Sequence, residues 1–218
     1  MVKTKIMKVG SKSPEAETIK AAATVIKRGG LVVYPTETCY GLGADATNPQ
    51  AVKKIFRVKK RPFGKPISII VADLEMMKKY GEITEEIDFL VHRFMPGPLT
   101  IITHKKRTVP RILNPNEIAF RIPGHPVALN LVKSAETPIT ATSANISGTE
   151  PIYKINDIVK VFSGKVEMIL DCDDLERKRP STIIDLKDAK NPKVLREGPI
   201  PSEKILRELE KFISEDRK

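Results

Sequence analysis

Between Asp45 and Asp73 the chain carries no acidic residue and seven cations: Lys53, Lys54, Arg57, Lys59, Lys60, Arg61 and Lys65. Like charges held together on a folded surface repel one another, and an anion resting there relieves that cost. Lys59-Lys60-Arg61-Pro62 falls at the expected end of a helix, where cations also meet the negative end of the helix dipole. More cations stand there than that role requires. A lysine as a point charge beside an arginine as a planar fork is what a polyphosphate needs.

Three further segments place small polar groups or an arginine where an apolar run gives out. Thr140-Ala141-Thr142-Ser143-Ala144-Asn145-Ile146-Ser147-Gly148 offers hydroxyls, an amide and backbone N–H groups suited to phosphate or carboxylate. Pro35-Thr36-Glu37-Thr38 puts two hydroxyls after a buried strand, and Pro180-Ser181-Thr182 enters another. Arg121 stands in an otherwise apolar strand, so it must have a partner or face a cleft.

Other chemistries find little support. Gly41-Leu42-Gly43-Ala44-Asp45-Ala46 matches a dinucleotide fingerprint, but six residues separate it from the preceding strand and no ribose-binding carboxylate follows at the required distance. There is no P-loop and no Ser-His-Asp set, and neither Cys39 nor Cys172 has a histidine near it in sequence. Asp171, Asp173 and Asp174 are read as a solvated loop, and no protein-held metal is expected.

The 218 residues carry 38 Lys+Arg against 27 Asp+Glu, a formal charge of +11, with 40% hydrophobic residues. That profile is a globular protein's; the charge total alone serves solubility as well as it serves a polyanionic partner. No apolar run reaches membrane-spanning length and no signal peptide is evident, so a cytoplasmic location is expected.

Helix and strand patterns alternate to position these groups. A helix is expected from Ser13-Pro14 to Gly29-Gly30, then a buried strand over 31–34. A second helix starts at Asn48-Pro49, an apolar run covers 67–72, and a third helix runs from Thr84 to Pro96-Gly97-Pro98. Strands follow at 99–103, 118–122 and 139–142, with a short helix from about Pro126. After Asn156-Asp157 come a helix, strands at 166–170, 182–185 and 194–196, and an amphipathic helix from about Ser202. The expectation is one α/β domain over 1–218, built on a large mixed sheet.

In order along the chain, these segments resemble the YrdC-like family of L-threonylcarbamoyladenylate synthases. The resemblance covers about 14–200. It rests on the run from Gly29 to Leu42, on Lys59-x-Arg61-Pro62 with Lys65-Pro66, and on Met95-Pro96-Gly97-Pro98-Leu99-Thr100. Arg121-Ile122-Pro123, Ser143-x-Asn145-x-Ser147-Gly148, Pro180-Ser181-Thr182 and Arg196-x-Gly198 complete it. It implies a single domain: a twisted mixed β-sheet with flanking helices and a positively charged concave cleft. A C-terminal helix and charged tail occupy 201–218, as in the short, single-domain form.

The implied activity condenses L-threonine, bicarbonate (or CO₂) and ATP to threonylcarbamoyl-AMP and pyrophosphate. A downstream transferase complex would then make N6-threonylcarbamoyladenosine beside the tRNA anticodon. The resemblance implies that Lys59, Arg61, Lys65, Ser143, Asn145 and Arg196 bind ATP, with Mg²⁺ on its phosphates, and that Lys59, Arg61, Ser143 and Asn145 form the catalytic signature. Thr36, Arg121, Thr142 and Ser181 would hold L-threonine, with Arg121 as carboxylate clamp. The alternatives are a double-stranded RNA or tRNA-binding module using the same basic face, whether or not alongside catalysis, and a paralogue of this fold with another substrate. One departure is local: Cys172-Asp173 replaces the glycine pair common in the family, and charged residues follow.

Overall fold

The computed structural model describes residues 2–215. In chain order the elements are β1 (Lys5–Lys8), α1 (Ala16–Lys27), β2 (Val32–Pro35), β3 (Tyr40–Gly43), α2 (Pro49–Lys59) and β4 (Ile69–Ile70). Then follow α3 (Leu74–Tyr80), α4 (Glu85–Phe94), β5 (Leu99–His104), β6 (Glu117–Arg121), α5 (Pro126–Ala135) and β7 (Ile139–Thr140). The chain continues through β8 (Thr142–Ser143), α6 (Ile155–Phe162), β9 (Met168–Asp171), β10 (Thr182–Asp185), β11 (Lys193–Arg196) and α7 (Ser202–Glu215).

The expected mixed α/β architecture with flanking helices is present, but its strands form two sheets. One has the order β1-β9-β2-β3-β8, the other β11-β10-β5-β6-β4-β7. Each mixes parallel and antiparallel pairs: β2 runs parallel to β9 and antiparallel to β3, and β5 runs parallel to β10 and antiparallel to β6. The division falls at Ala141. Ile139 and Thr140 pair with β4, whereas Thr142 and Ser143 pair with β3, so the stretch read as one strand belongs to both sheets. Its uniform β-like composition carries no mark of the exchange. Thr140 fixes it, donating its N–H to the Ala44 carbonyl (2.9 Å) while its Oγ1 accepts from the Ala44 N–H (3.0 Å).

Local chemistry explains most helix boundaries. Asn48 caps α2 by accepting from the Gln50 and Ala51 N–H groups, with Pro49 in the first turn, and Thr84 caps α4. The Ser13 cap does not form. α1 begins at Ala16 behind Glu15, whose carboxylate accepts from the Gly10 N–H instead. Asn156 and Asp157 lie inside α6, not before it. The apolar run at 67–72 yields only β4, because only Ile69 and Ile70 find ladder partners, in β6 and β7. β1, β3 and α3 were not legible as elements; β1 is a Lys-rich edge strand, and Asp73 caps α3 through the Met76 N–H.

Two apolar clusters hold the domain together. Ile19, Ala22, Ala23 and Ile26 of α1 pack with Val127, Ala128, Leu131 and Val132 of α5 against Val32, Met168 and Leu170. The larger cluster joins Leu99, Ile101, Phe120 and Ile184 to buried residues of α2, α4 and α7. Gly41 and Gly43 lie on β3 against the Tyr34 ring. A Cβ at Gly43 would meet both that ring and Ile139 Cγ2 at 2.7 Å. These glycines permit close side-chain packing within a strand, which a phosphate-binding turn would not require.

Among the described residues, no helix is long and apolar enough to cross a membrane. The final part of the expected charged tail, 216–218, lies outside the described residues.

Candidate functional site

Alternation along the six-stranded sheet builds the floor of a pocket. Thr100 and Ile102 of β5, Ala119 and Arg121 of β6, and Ser181 and Ile183 at β10 turn their side chains toward it. The intervening Leu99, Ile101, Phe120 and Ile184 turn into the core, as the two-residue strand period requires. The five-stranded sheet closes the opposite side through Thr38, Cys39, Thr142 and Ser143. The cavity measures about 470 Å³ and adjoins a chamber of about 50 Å³ that shares Thr38, Cys39, Arg121, Thr142 and Ser143 with it. Arg61, Arg121 and Arg196 line the larger space, and no carboxylate does so among the described residues.

Lys59 ends α2 and is 1% exposed. Its ammonium donates to the carbonyl oxygens of Ser143 and Asn145 (2.5 and 2.9 Å) and to Asn145 Oδ1 (2.8 Å). Ser143 Oγ also donates to Asn145 Oδ1 (2.7 Å), and the Ser147 N–H returns to the Lys59 carbonyl (2.7 Å). Lys59, Ser143 and Asn145, expected together, are together, as one bonded cluster. Within it Ser143 faces the pocket, while Lys59 and Asn145 are buried behind it. Burial, with Arg61 nearby as a second cause, draws the Lys59 ammonium down to about 8.

Arg61 is half-buried at the rim. Its NH2 donates to the Pro66 carbonyl (2.8 Å) and its Nε to that of Lys65 (3.4 Å). Lys65 therefore supports Arg61 through its backbone, and its own side chain is exposed outside the lining. Across the pocket, Arg196 donates from Nε to the Ser181 carbonyl (2.9 Å) and from NH2 to Ser181 Oγ (3.0 Å). Thr100 Oγ1 lies 2.8 Å from the same Ser181 hydroxyl. Ser181 is thus joined to Arg196, not to Thr36.

Arg121 is 8% exposed and borders both cavities. Its Nε donates to the Gly97 carbonyl (3.1 Å), and its NH2 lies 2.5 Å from Glu37 Oε1. That contact is an ion pair without an aligned hydrogen bond. Burial alone would push the Glu37 carboxyl up, but the Arg121 charge and the Gly124 N–H together hold it below its usual range. Thr36 lines the chamber and closes its own loop, donating from Oγ1 to the Cys39 carbonyl (2.7 Å). Thr142 borders both spaces from β8.

The sequence pattern assigns no role to Glu37 or Thr100, offers Thr38 only as a hydroxyl beside Thr36, and speaks against Cys39 as a nucleophile; the structure places Thr38, Cys39 and Thr100 on the pocket wall. The requirement that Arg121 have a partner was the signal for Glu37. Burial pushes the Cys39 thiol up, so it stays protonated at neutral pH and is a poor nucleophile despite lining the pocket. The aspartates beyond β9 have local partners: Asp171 and Asp173 pair with Lys8, and Asp174 Oδ1 accepts from the Ile155 N–H at the start of α6.

The arrangement suits anion binding and charge neutralisation without covalent catalysis. The chain is also similar to known proteins. The family model named for Sua5, YciO and YrdC, described as "Telomere recombination", matches residues 24–198. The threonylcarbamoyl-AMP synthase of Pyrococcus abyssi is 42% identical over 202 residues, which are 91% of this chain and 58% of that protein. A protein of Methanocaldococcus jannaschii is 36% identical, with 94% of this chain matched to 99% of its length. The crystal structure of P. abyssi Sua5 complexed with L-threonine superposes with a TM-score of 0.88 at 40% identity, over 94% of this chain and 60% of that one. The chain thus spans under two thirds of the P. abyssi protein and nearly all of the M. jannaschii one. By the match of its ordered motifs and of its whole fold, the chain belongs to the Sua5/YciO/YrdC family.

Proposed function

We propose that this chain makes threonylcarbamoyl-AMP from L-threonine, bicarbonate (or CO₂) and ATP, releasing pyrophosphate. The observation that carries the reading is one pocket lined by Arg61, Arg121 and Arg196, with hydroxyls between them and neither an activated nucleophile nor a carboxylate. The threonine amine captures CO₂ as a carbamate, whose oxygen attacks the α-phosphorus and expels pyrophosphate. The protein's task in that sequence is to bring two anions together and neutralise their charge.

The residues divide between two subsites. Arg121, Thr36 and Thr142 surround the smaller chamber and suit L-threonine, with Arg121 on its carboxylate. Arg61 and Ser143 on one lip and Arg196 on the other suit the nucleotide phosphates, and the exposed Lys65 stands beside that entrance. Lys59 and Asn145 act from behind by holding Ser143 in place. Ser181 serves the nucleotide side through Arg196. Mg²⁺ belongs to the ATP substrate in this reading, because the charged and hydroxyl-bearing lining residues are arginines, serines and threonines, which favour phosphate over a cation. The product would pass to a threonylcarbamoyl transferase acting on tRNA in the cytoplasm.

The test is incubation with L-threonine, bicarbonate, Mg²⁺ and ATP labelled at the α-phosphate. A threonine-dependent labelled adenylate is expected. Measurable ATP binding with no such product would overturn the reading.

A further inference from the structure

We propose that Glu37 is a positioning residue for amino-acid binding, acting through Arg121 across the junction of the two sheets. The proposal deepens the threonine-subsite reading of the Arg121 chamber and rests on it.

Glu37 belongs to the loop between β2 and β3 of the five-stranded sheet, whereas Arg121 ends β6 of the six-stranded sheet. The carboxylate borders neither cavity, so it has no direct view of a ligand. Its effect is on the guanidinium. Gly97 takes Nε and Glu37 faces NH2, so NH1 is the nitrogen with no protein partner among the described residues. A guanidinium on a flexible stem beside a cavity has several orientations open to it. An anion at one edge and a carbonyl at Nε select the orientation that presents the remaining edge to a carboxylate.

The pair is not arranged for stability alone. Glu37 Oε1 faces Arg121 and also accepts from the Gly124 N–H (2.9 Å), while Oε2 is buried without a hydrogen-bond partner. An unsatisfied buried carboxylate oxygen costs free energy, and a structure optimised only for folding would avoid it. The cost is understandable if the carboxylate is placed to aim Arg121. Glu37 also balances a guanidinium that would otherwise sit buried and unpaired.

The experiment compares wild type, Glu37→Gln, Arg121→Ala and the double variant, measuring KM for L-threonine and for ATP separately. Glu37→Gln keeps the side-chain shape and removes the charge. It is expected to raise the L-threonine KM about tenfold or more, the scale of one misdirected charged hydrogen bond, with the ATP KM essentially unchanged. In the Arg121→Ala background the same substitution is expected to leave the L-threonine KM unaltered, because the group it aims is gone.

Three results would overturn the proposal: an unchanged L-threonine KM in Glu37→Gln, an equal rise for both substrates, or the same rise in the Arg121→Ala background. Should Glu37→Gln fail to fold, Glu37→Asp withdraws the carboxylate by one methylene and must give the same selective rise. If wild type itself makes no threonine-dependent adenylate, the activity reading fails and the proposal fails with it. A productive wild type with an indifferent Glu37→Gln refutes the role of Glu37 alone.

Discussion

Replacing Lys59 with methionine separates two roles that its position would otherwise confound. Methionine keeps most of the apolar stem and removes the ammonium. Three buried acceptors then lose their donor: the Ser143 carbonyl, the Asn145 carbonyl and Asn145 Oδ1. Hydrogen bonds to a charged group are worth about 1.5–3 kcal/mol each, but these three share one donor and are not additive. Removing the ammonium also recovers its desolvation cost, so the net loss is about 3 kcal/mol. In a domain of this size that lowers the melting temperature by about 6–12 °C. Turnover should fall by about 100-fold as Ser143 moves, which is the usual penalty for an ångström of misplacement.

Urea unfolding and the labelled-adenylate assay measure the two effects side by side. Unfolding free energy within about 0.5 kcal/mol of wild type, with turnover abolished, would refute the anchor role. It would mean that the ammonium acts on the substrate and not on the loop. The pH profile gives a second check. As pH rises past about 8, Lys59 becomes a neutral amine with two N–H groups for three acceptors, so turnover should decline. An unbroken plateau to pH 9.5 would contradict the cluster as described.

Arg61→Ala should leave the unfolding midpoint unmoved, because its partners are two loop carbonyls at a half-exposed rim, while ATP-dependent turnover drops by about 100-fold or more; near-normal turnover would remove Arg61 from the phosphate site. Glu37 titrates below its ordinary value of 4.5. Its contribution to stability is therefore complete above about pH 4.5 and is lost as pH falls through the depressed folded value. The stability gap between wild type and Glu37→Gln, followed by denaturant titration from pH 7 to pH 3, should shrink only below that point; a constant gap would refute the ion pair's share. Gly198→Ala places a Cβ 2.3 Å from the Thr182 N–H nitrogen and 2.4 Å from the Pro180 carbonyl oxygen. Backbone cannot yield as a flexible side chain can, so a loss of about 3 kcal/mol and a raised ATP KM through Ser181 and Arg196 are expected; a wild-type KM would mean that the Ser181 wall tolerates displacement.

Much of the site was legible because its chemistry is local in sequence. The small polar run from Thr140 to Gly148 and the arginine in an apolar strand both reach the pocket, whereas of the seven cations in the acid-free stretch only Arg61 lines it. The helix starts at Asn48 and Thr84 and the amphipathic helix from about Ser202 were equally plain, since capping and the 3.6-residue period act within a few residues. The second sheet was not legible. A strand that changes partners at Ala141 has the same residue pattern as one that does not, and a short strand such as β4 is held only by β6 and β7, which lie far along the chain.

The amino-acid sequence by itself determined that this protein is a basic mixed α/β domain whose cationic and hydroxyl-bearing segments suit phosphate and carboxylate. Residue type and short-range spacing suffice for that, because charge, hydroxyls and helix ends are local properties. Only the tertiary structure decided how those groups share the work. Lys59 turns inward because carbonyls from a segment 84 residues away close around its ammonium. Ser181 joins Arg196 because β10 and β11 pair, and Glu37 meets Arg121 only where the two sheets come together. Contacts of that range follow from the packing of the whole chain, which no local pattern encodes.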